Sequence, residues 1–302
     1  MSRWRLARRV SEIRVNPLTG ERVLTVPGRA RRPGAIGRTT RVDDAAVCPF
    51  CEGHEQLTPP EVDAFGVPGR AADTPGWTIR VVPNKFPALP GQEVVIHGPR
   101  HANTLLDTEP GVMEAAVRMW GTRRVAHRAQ GAAYLLAGIN EGAGAGASLP
   151  HSHSQLVPYP ELPPFMATAA AAFDGGCPLC SLAVGDANLV WQGGGLRAVC
   201  PPWGRFPYET WVVPKRHQAT DQDPDALAAA LRQVVSRLFA VLGDGLSWNA
   251  ALHDAPLAGG NWHWWLEVVP RITVPGLIEL GSGLWVNVSD PTHAAAELST
   301  AT

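Results

Sequence analysis

An α+β fold made of two tandem, related halves, residues 1–165 and 166–302, is what this sequence predicts. Three observations lead to it. Cys-Pro-x-Cys occurs twice, as Cys48-Pro49-Phe50-Cys51 and as Cys177-Pro178-Leu179-Cys180. The run from Glu93 to His101 matches the run from Glu209 to His217 without a gap. Each half also contains one amphipathic segment followed by a strand-like run that begins at a histidine, His151 in the first and His263 in the second. Self-similarity of this kind reveals architecture that local propensity misses.

Bulk properties set the limits. With 302 residues, 45% of them hydrophobic and 18% charged, the chain has enough material for one large domain or two smaller ones. A net charge of -1 argues against coating nucleic acid, which requires a basic face. The basic start lacks an apolar core, and no stretch offers the ~20 apolar residues of a membrane span, so a cytoplasmic protein with no membrane partner is expected. Five cysteines and no export signal make a disulfide framework a poor reading.

Taken in order, the elements support the duplication. Cys-Pro-x-Cys presents two thiolates to one tetrahedral metal, and taken singly it also suits thiol exchange. Two copies, each followed by histidines, favour zinc. Short strands at Ile79–Val82 and Leu196–Val199 precede the repeated run in each half. Asp107 to Gln130 reads as a helix with Met113, Val117 and Trp120 on one face. Its counterpart starts behind Asp223-Pro224, runs through Leu227, Leu231, Val234 and Leu238, and stops at Gly243. His151-Ser152-His153-Ser154-Gln155 then aligns with His263-Trp264-Trp265-Leu266-Glu267. Each half thus supplies Cys, Cys, His and His in one order: Cys48, Cys51, His101 and His151, then Cys177, Cys180, His217 and His263. Four protein ligands saturate a zinc ion, so both sites are expected to be structural. His153 is left over, because Trp265 stands in its place in the second half. One half keeps a reactive histidine and the other is degenerate. Proline-rich 160–172 reads as the junction, and Cys200 as a small buried residue.

These motifs resemble the galactose-1-phosphate uridylyltransferase family of the histidine-triad superfamily, along nearly the whole chain. Arg14 to Glu21 and Gly28 to Pro33 look like its N-terminal signature, Val82 to Leu89 like its nucleoside-binding turn, and Asn140 to Gln155 like its active-site stretch. The resemblance implies that each half is a histidine-triad-like antiparallel sheet with a packed helix. It also implies a ping-pong transfer of a nucleoside monophosphate, UMP in the leading reading, from a nucleotide sugar to a sugar 1-phosphate through a nucleotidyl-His153 intermediate. Gln155 would then hydrogen-bond a phosphate oxygen. Arg29, Arg32, Asn140 and Ser148 would contact phosphates and Asn84 the ribose. Read from the residues alone, Arg29 to Arg32 also suits a solvated basic turn, Asn84 a turn cap, and the Gly-Ala run 142–147 a linker. Zn2+ at both sites, with iron as an option at the second, and a homodimer are further implications.

Two features depart from the usual pattern. Ser152 stands where the family usually has proline between the active-site histidines. The complete second metal set and the compact C-terminus look closer to nucleotide-sugar phosphorylases, which use inorganic phosphate on an ADP- or GDP-sugar. A zinc-stabilised nucleotide-binding protein without turnover is the reading from another class.

Overall fold

The computed structural model describes residues 12–25, 47–184 and 186–301. Arg29 and Arg32 lie outside the described residues. A ten-stranded antiparallel sheet dominates the fold. In chain order the first half contributes β3 (Asp63–Gly66), β4 (Trp77–Pro83), β5 (Glu93–His97), β6 (Tyr134–Glu141) and β7 (His153–Tyr159). The second contributes β8 (Leu189–Gly193), β9 (Leu196–Val199), β10 (Thr210–Pro214), β11 (Trp248–His253) and β12 (Trp265–Pro270). Their spatial order is β3-β4-β5-β7-β6-β11-β12-β10-β9-β8, which reads as the same five-strand pattern from either edge. Within this sheet the halves meet where β6 pairs with β11, from Glu141 opposite Trp248 to Ala137 opposite Leu252. A small separate sheet joins β1 (Glu12–Val15), β2 (Arg22–Thr25) and β13 (Trp285–Asn287).

One face of the large sheet is covered by α1 (Val112–Ala129) and α4 (Pro224–Leu242), which also pack on each other. Met113, Ala116, Val117 and Trp120 of α1 and Leu227, Leu231, Val234 and Leu238 of α4 are buried against the strands. Burying such a side chain fully contributes roughly 1.5–3 kcal/mol. At the start of α4 the Asp223 carboxylate accepts from the Ala226 N–H, Pro224 sits in the first turn, and Gly243 ends the helix with φ at 94°. The first helix begins five residues later than Asp107, because Leu105–Asp107 forms its own 3-10 turn. Thr104 and Asp107 cap each other there, and Pro110 with left-handed Gly111 separates that turn from α1. Of the shorter helices, α2 (Pro164–Asp174) follows β7 and α3 (Pro178–Val184) holds Cys180. The last two are α5 (Leu277–Ser282) and α6 (Pro291–Thr300).

The repeat is not gapless in space. Ile96 opposes His153, whereas in the second half Val212 pairs with Leu266, which puts Val213 opposite Trp265. The Glu93–His101 match therefore holds at its histidine end and slips by one along the strand. Gln92, not Glu93, becomes the counterpart of Glu209.

The stretch before β3, from residue 47, packs on the other face of the first half. Phe50 packs there with Trp77, Val82, Val94 and Ile96. The Trp77 indole donates to Glu55 at 2.8 Å, and buried Arg80 donates to Glu61 at 3.1 Å and to Thr58 at 2.7 Å. These bonds hold Cys48 and Cys51 over the sheet.

Candidate functional site

The eight predicted metal ligands meet in two groups of four, Cys48, Cys51, His101 and His151 in one and Cys177, Cys180, His217 and His263 in the other. In each group the ligand atoms lie within 4.8 Å of one another. His151 Nδ1 is 3.3 Å from Cys48 Sγ, and His263 Nδ1 is 3.2 Å from Cys177 Sγ. His101 Nδ1 faces Cys51 at 3.6 Å, and His217 Nδ1 faces Cys180 at 3.5 Å. The outer nitrogens are matched too: His151 Nε2 donates to the Gly98 carbonyl at 3.2 Å and His263 Nε2 to the Pro214 carbonyl at 3.1 Å. Donation from Nε2 leaves Nδ1 with its lone pair aimed at the thiols, the arrangement a metal-ligating histidine requires. Burial, together with Cys48, pushes the Cys51 thiol up to about 12, and burial with Cys180 pushes Cys177 up to about 11. Two thiolates so close need a cation between them, so the donor set fits a divalent metal at both places.

His153 begins β7, and strand alternation divides its neighbours between the two faces. Ser154 points to the helices, where its hydroxyl accepts from the Trp120 indole at 2.7 Å. His153 and Gln155 occupy the opposite face. His153 is 5% exposed, and its ring meets Phe50 edge-on at 5.3 Å. Its Nδ1 lies 2.7 Å from the His151 carbonyl oxygen. A carbonyl only accepts, so Nδ1 bears the proton and Nε2 the lone pair. Burial lowers the pKa of this imidazole, with the His151 carbonyl opposing in part. A neutral histidine with Nε2 free of its proton is what nucleophilic attack needs.

The carboxamide of Gln155 is fixed by a residue the sequence reading did not single out. Gln92 donates from Nε2 to Gln155 Oε1 at 2.7 Å, while its own oxygen accepts from the Ala88 N–H at 2.8 Å. With its oxygen engaged, Gln155 has its NH2 to offer an anion.

No family model matches the chain. Individual relatives do, over almost all of it. An ADP-glucose phosphorylase of Arabidopsis thaliana is 28% identical over 94% of this chain and 91% of its own length. A galactose-1-phosphate uridylyltransferase of Thermotoga maritima is 26% identical over 95% of this chain and 97% of its own. Among solved structures, an Arabidopsis thaliana ADP-glucose phosphorylase with bound ADP-glucose superposes with a TM-score of 0.85 at 26% identity, covering 97% of this chain and 99% of that one. A uridylyltransferase structure gives 0.70 at 25% identity, covering 95% and 97%. The chain thus has homologues named ADP-glucose phosphorylase and galactose-1-phosphate uridylyltransferase over almost its whole length.

The remaining described residues that the resemblance points to lie at three separate places in the first half. Asn140 of β6 stands across the ladder from His153, one step beyond the Ile139–Ser154 pair, and accepts from Asn249 Nδ2 at 2.7 Å across the seam. Asn84 opens the β4–β5 loop that Gln92 closes. Its oxygen accepts from the Phe86 N–H at 2.9 Å, so it also serves as the turn cap. Ser148 is exposed on the β6–β7 loop.

In the second half the same positions are filled. Trp265 stacks on His253 at 4.5 Å, with Trp211 and Trp262 both 5.6 Å away. His253, opposite Trp265, takes the place of Asn140. The paired amides Gln92 and Gln155 become the carboxylates Glu209 and Glu267, and Arg205 lies against both. Burial raises the Glu267 carboxyl and Arg205 more than reverses that, pulling it down to about 2. A buried indole stack and an ion cluster thus occupy the positions that His153 and the two amides hold in the first half.

Proposed function

We propose that this protein transfers a nucleoside monophosphate from a nucleotide sugar to a phosphorylated acceptor through a covalent intermediate on His153. The observation that carries this reading is the tautomer set by the His151 carbonyl, which leaves His153 Nε2 as the nucleophile. Nε2 attacks the α-phosphorus, an N–P bond forms, and the P–O bond to the sugar phosphate breaks. Sugar 1-phosphate leaves with the electron pair. In the second step an acceptor oxygen attacks the same phosphorus and the N–P bond returns its pair to Nε2. The NH2 of Gln155 donates to a non-bridging oxygen as negative charge spreads over the phosphoryl group, and Asn140 is placed to add a second amide donor. Arg29, Arg32, Ser148 and Asn84 are the further substrate contacts in this reading.

The metals we propose are zinc, structural at both sites, with iron compatible with the second. Bound there, the metal supplies rigidity. The ring of His151 is its ligand while the carbonyl of the same residue orients His153, so the ligand and the nucleophile share one short stretch of backbone.

Two acceptors remain within this chemistry. Motif reading alone favours UMP transfer to a hexose 1-phosphate. Over nearly the full chain, the higher identity to ADP-glucose phosphorylase than to the Thermotoga maritima uridylyltransferase, and the higher TM-score, favour phosphorolysis of an ADP-sugar. Incubation with ADP-glucose, GDP-glucose or UDP-glucose, each with phosphate or galactose 1-phosphate, separates them. The mass gained by the protein names the nucleotide. Product only from UDP-glucose and galactose 1-phosphate selects the transferase, and a nucleoside diphosphate formed with phosphate selects the phosphorylase. No protein adduct with any donor leaves a nucleotide-binding protein without turnover.

A further inference from the structure

His97 sits on the helix side of β5, under the backbone that bears His153, and bonds the residues on either side of it. Its Nδ1 is 3.0 Å from Ser152 Oγ and its Nε2 is 3.0 Å from Ser154 Oγ. Ser154 in turn accepts from Trp120. Ser152 is held at two more points: its N–H donates to the Ala102 carbonyl at 2.7 Å, and its carbonyl accepts from the His97 N–H at 3.1 Å. His97, Ser152, Ser154 and Trp120 are all buried. In such a place each bond is costly to lose, because the group left behind has no water to turn to.

The backbone at Ser152 decides where the His151 carbonyl stands relative to the ring of His153. A proline fixes that backbone through its locked φ but has neither an N–H for Ala102 nor a hydroxyl for His97. Here the same segment is fixed by hydrogen bonds at the nitrogen, the carbonyl and the side chain of Ser152. The second half has no such arrangement: Trp264 aligns with Ser152 and keeps only the equivalent backbone bond, to the Gln218 carbonyl at 2.9 Å.

We propose that His97 and Ser152 are a matched pair of positioning residues that clamp the His151–His153 backbone and so select the Nδ1–H tautomer of His153. Ser152 does by hydrogen bonding what a proline ring would do covalently, and the pair does not tolerate that proline. This inference rests on His153 being the nucleophile.

The test uses the metal-loaded protein labelled with 15N-histidine, in which two-bond 1H–15N spectra read the His153 tautomer without any substrate. Adduct formation from ADP-glucose and UDP-glucose is timed in parallel. Ser152→Ala and His97→Phe are expected to give a mixed His153 tautomer and adduct formation slowed by about 10- to 100-fold, with metal content unchanged. Ser152→Thr keeps the hydroxyl and restores both readouts, whereas Ser152→Pro fails as Ser152→Ala does. A wild-type tautomer and rate in Ser152→Ala overturn the proposal, as does a Ser152→Pro variant that matches wild type. If His97→Phe does not fold, Ser152→Ala, which removes a single oxygen, decides alone. A wild-type protein that forms no adduct refutes the proposed function, and the tautomer measurement still judges the clamp.

Discussion

His153 Nδ1 stands 2.7 Å from the carbonyl oxygen of His151, the residue whose own Nδ1 faces Cys48 at 3.3 Å. The proposed nucleophile and the candidate metal ligand are therefore held two residues apart on one stretch of backbone, yet they use different atoms. His153→Gly is expected to abolish the nucleotidyl adduct in intact-protein mass spectrometry while both metals stay bound. Loss of one metal in that variant would make His153 a ligand and reverse the division of roles.

Removing a thiolate tests the two metal groups against each other. Cys48→Ser and Cys177→Ser should each lower the metal content by one ion per chain, read by elemental mass spectrometry. Each should destabilise by more than about 4 kcal/mol, the range of a lost structural metal. The difference lies in chemistry. At a temperature where both variants remain folded, Cys48→Ser should lose adduct formation with the strand that bears His153, and Cys177→Ser should retain most of it. Equal loss in both would mean that the second half contributes directly to the reaction.

Which parts of this arrangement could be seen without coordinates follows from range. The eight ligands were legible because each set repeats in one order, and His153 because Trp265 interrupts that repeat. Both signals lie along the chain. Gln92 and His97 were not legible, since their partners Gln155, Ser152 and Ser154 are reached only through the β5–β7 ladder, more than fifty residues away. The one-residue slip between β5 and β10 hid Gln92 further, because a gapless match pairs Glu93 with Glu209. The single ten-stranded sheet depends on the β6–β11 seam, where Asn140 and Asn249 meet, and no local pattern announces a pairing of that separation. The helix start was misplaced for a local reason, the separate capped turn at Thr104–Asp107.

Exchanging the amide of Gln155 for the carboxylate that the second half has at Glu267 isolates its charge. Gln92 can still donate to Gln155→Glu, so the fold should be kept, with thermal stability changed by no more than about 1 kcal/mol. A carboxylate facing the phosphoryl group repels the charge developing there, and the amide donor is gone. Loss of one such donor costs about 100- to 1000-fold in rate, and single-turnover adduct formation should fall at least that far. A rate within a few-fold of wild type would remove Gln155 from the phosphate site.

On the helix side of the sheet, well away from this chemistry, Asp221 gives a test of pH dependence. Its N–H donates to Asp254 Oδ1 at 3.2 Å, and with Arg124, Trp120 and Val117 it lines a cavity of about 250 Å³. Burial, with the Asp223 charge adding to it, raises the Asp221 carboxyl to about 6. A carboxyl whose folded pKa exceeds its unfolded value binds its proton more tightly in the native state. Its contribution to stability is therefore fully present below the ordinary value of 3.8 and is lost as pH rises from there through about 6. Above that, the ionised group is a cost, and partial solvent access reduces it to about 1 kcal/mol. Asp221→Asn keeps an oxygen for the Asp223 N–H and removes the charge, so it should be more stable than wild type at pH 8 and indistinguishable from it only below the unfolded value, near pH 3. Thermal unfolding across that range reads the difference directly. A gain of the same size at both pH values would show that Asp221 is ionised throughout and that burial does not govern its proton.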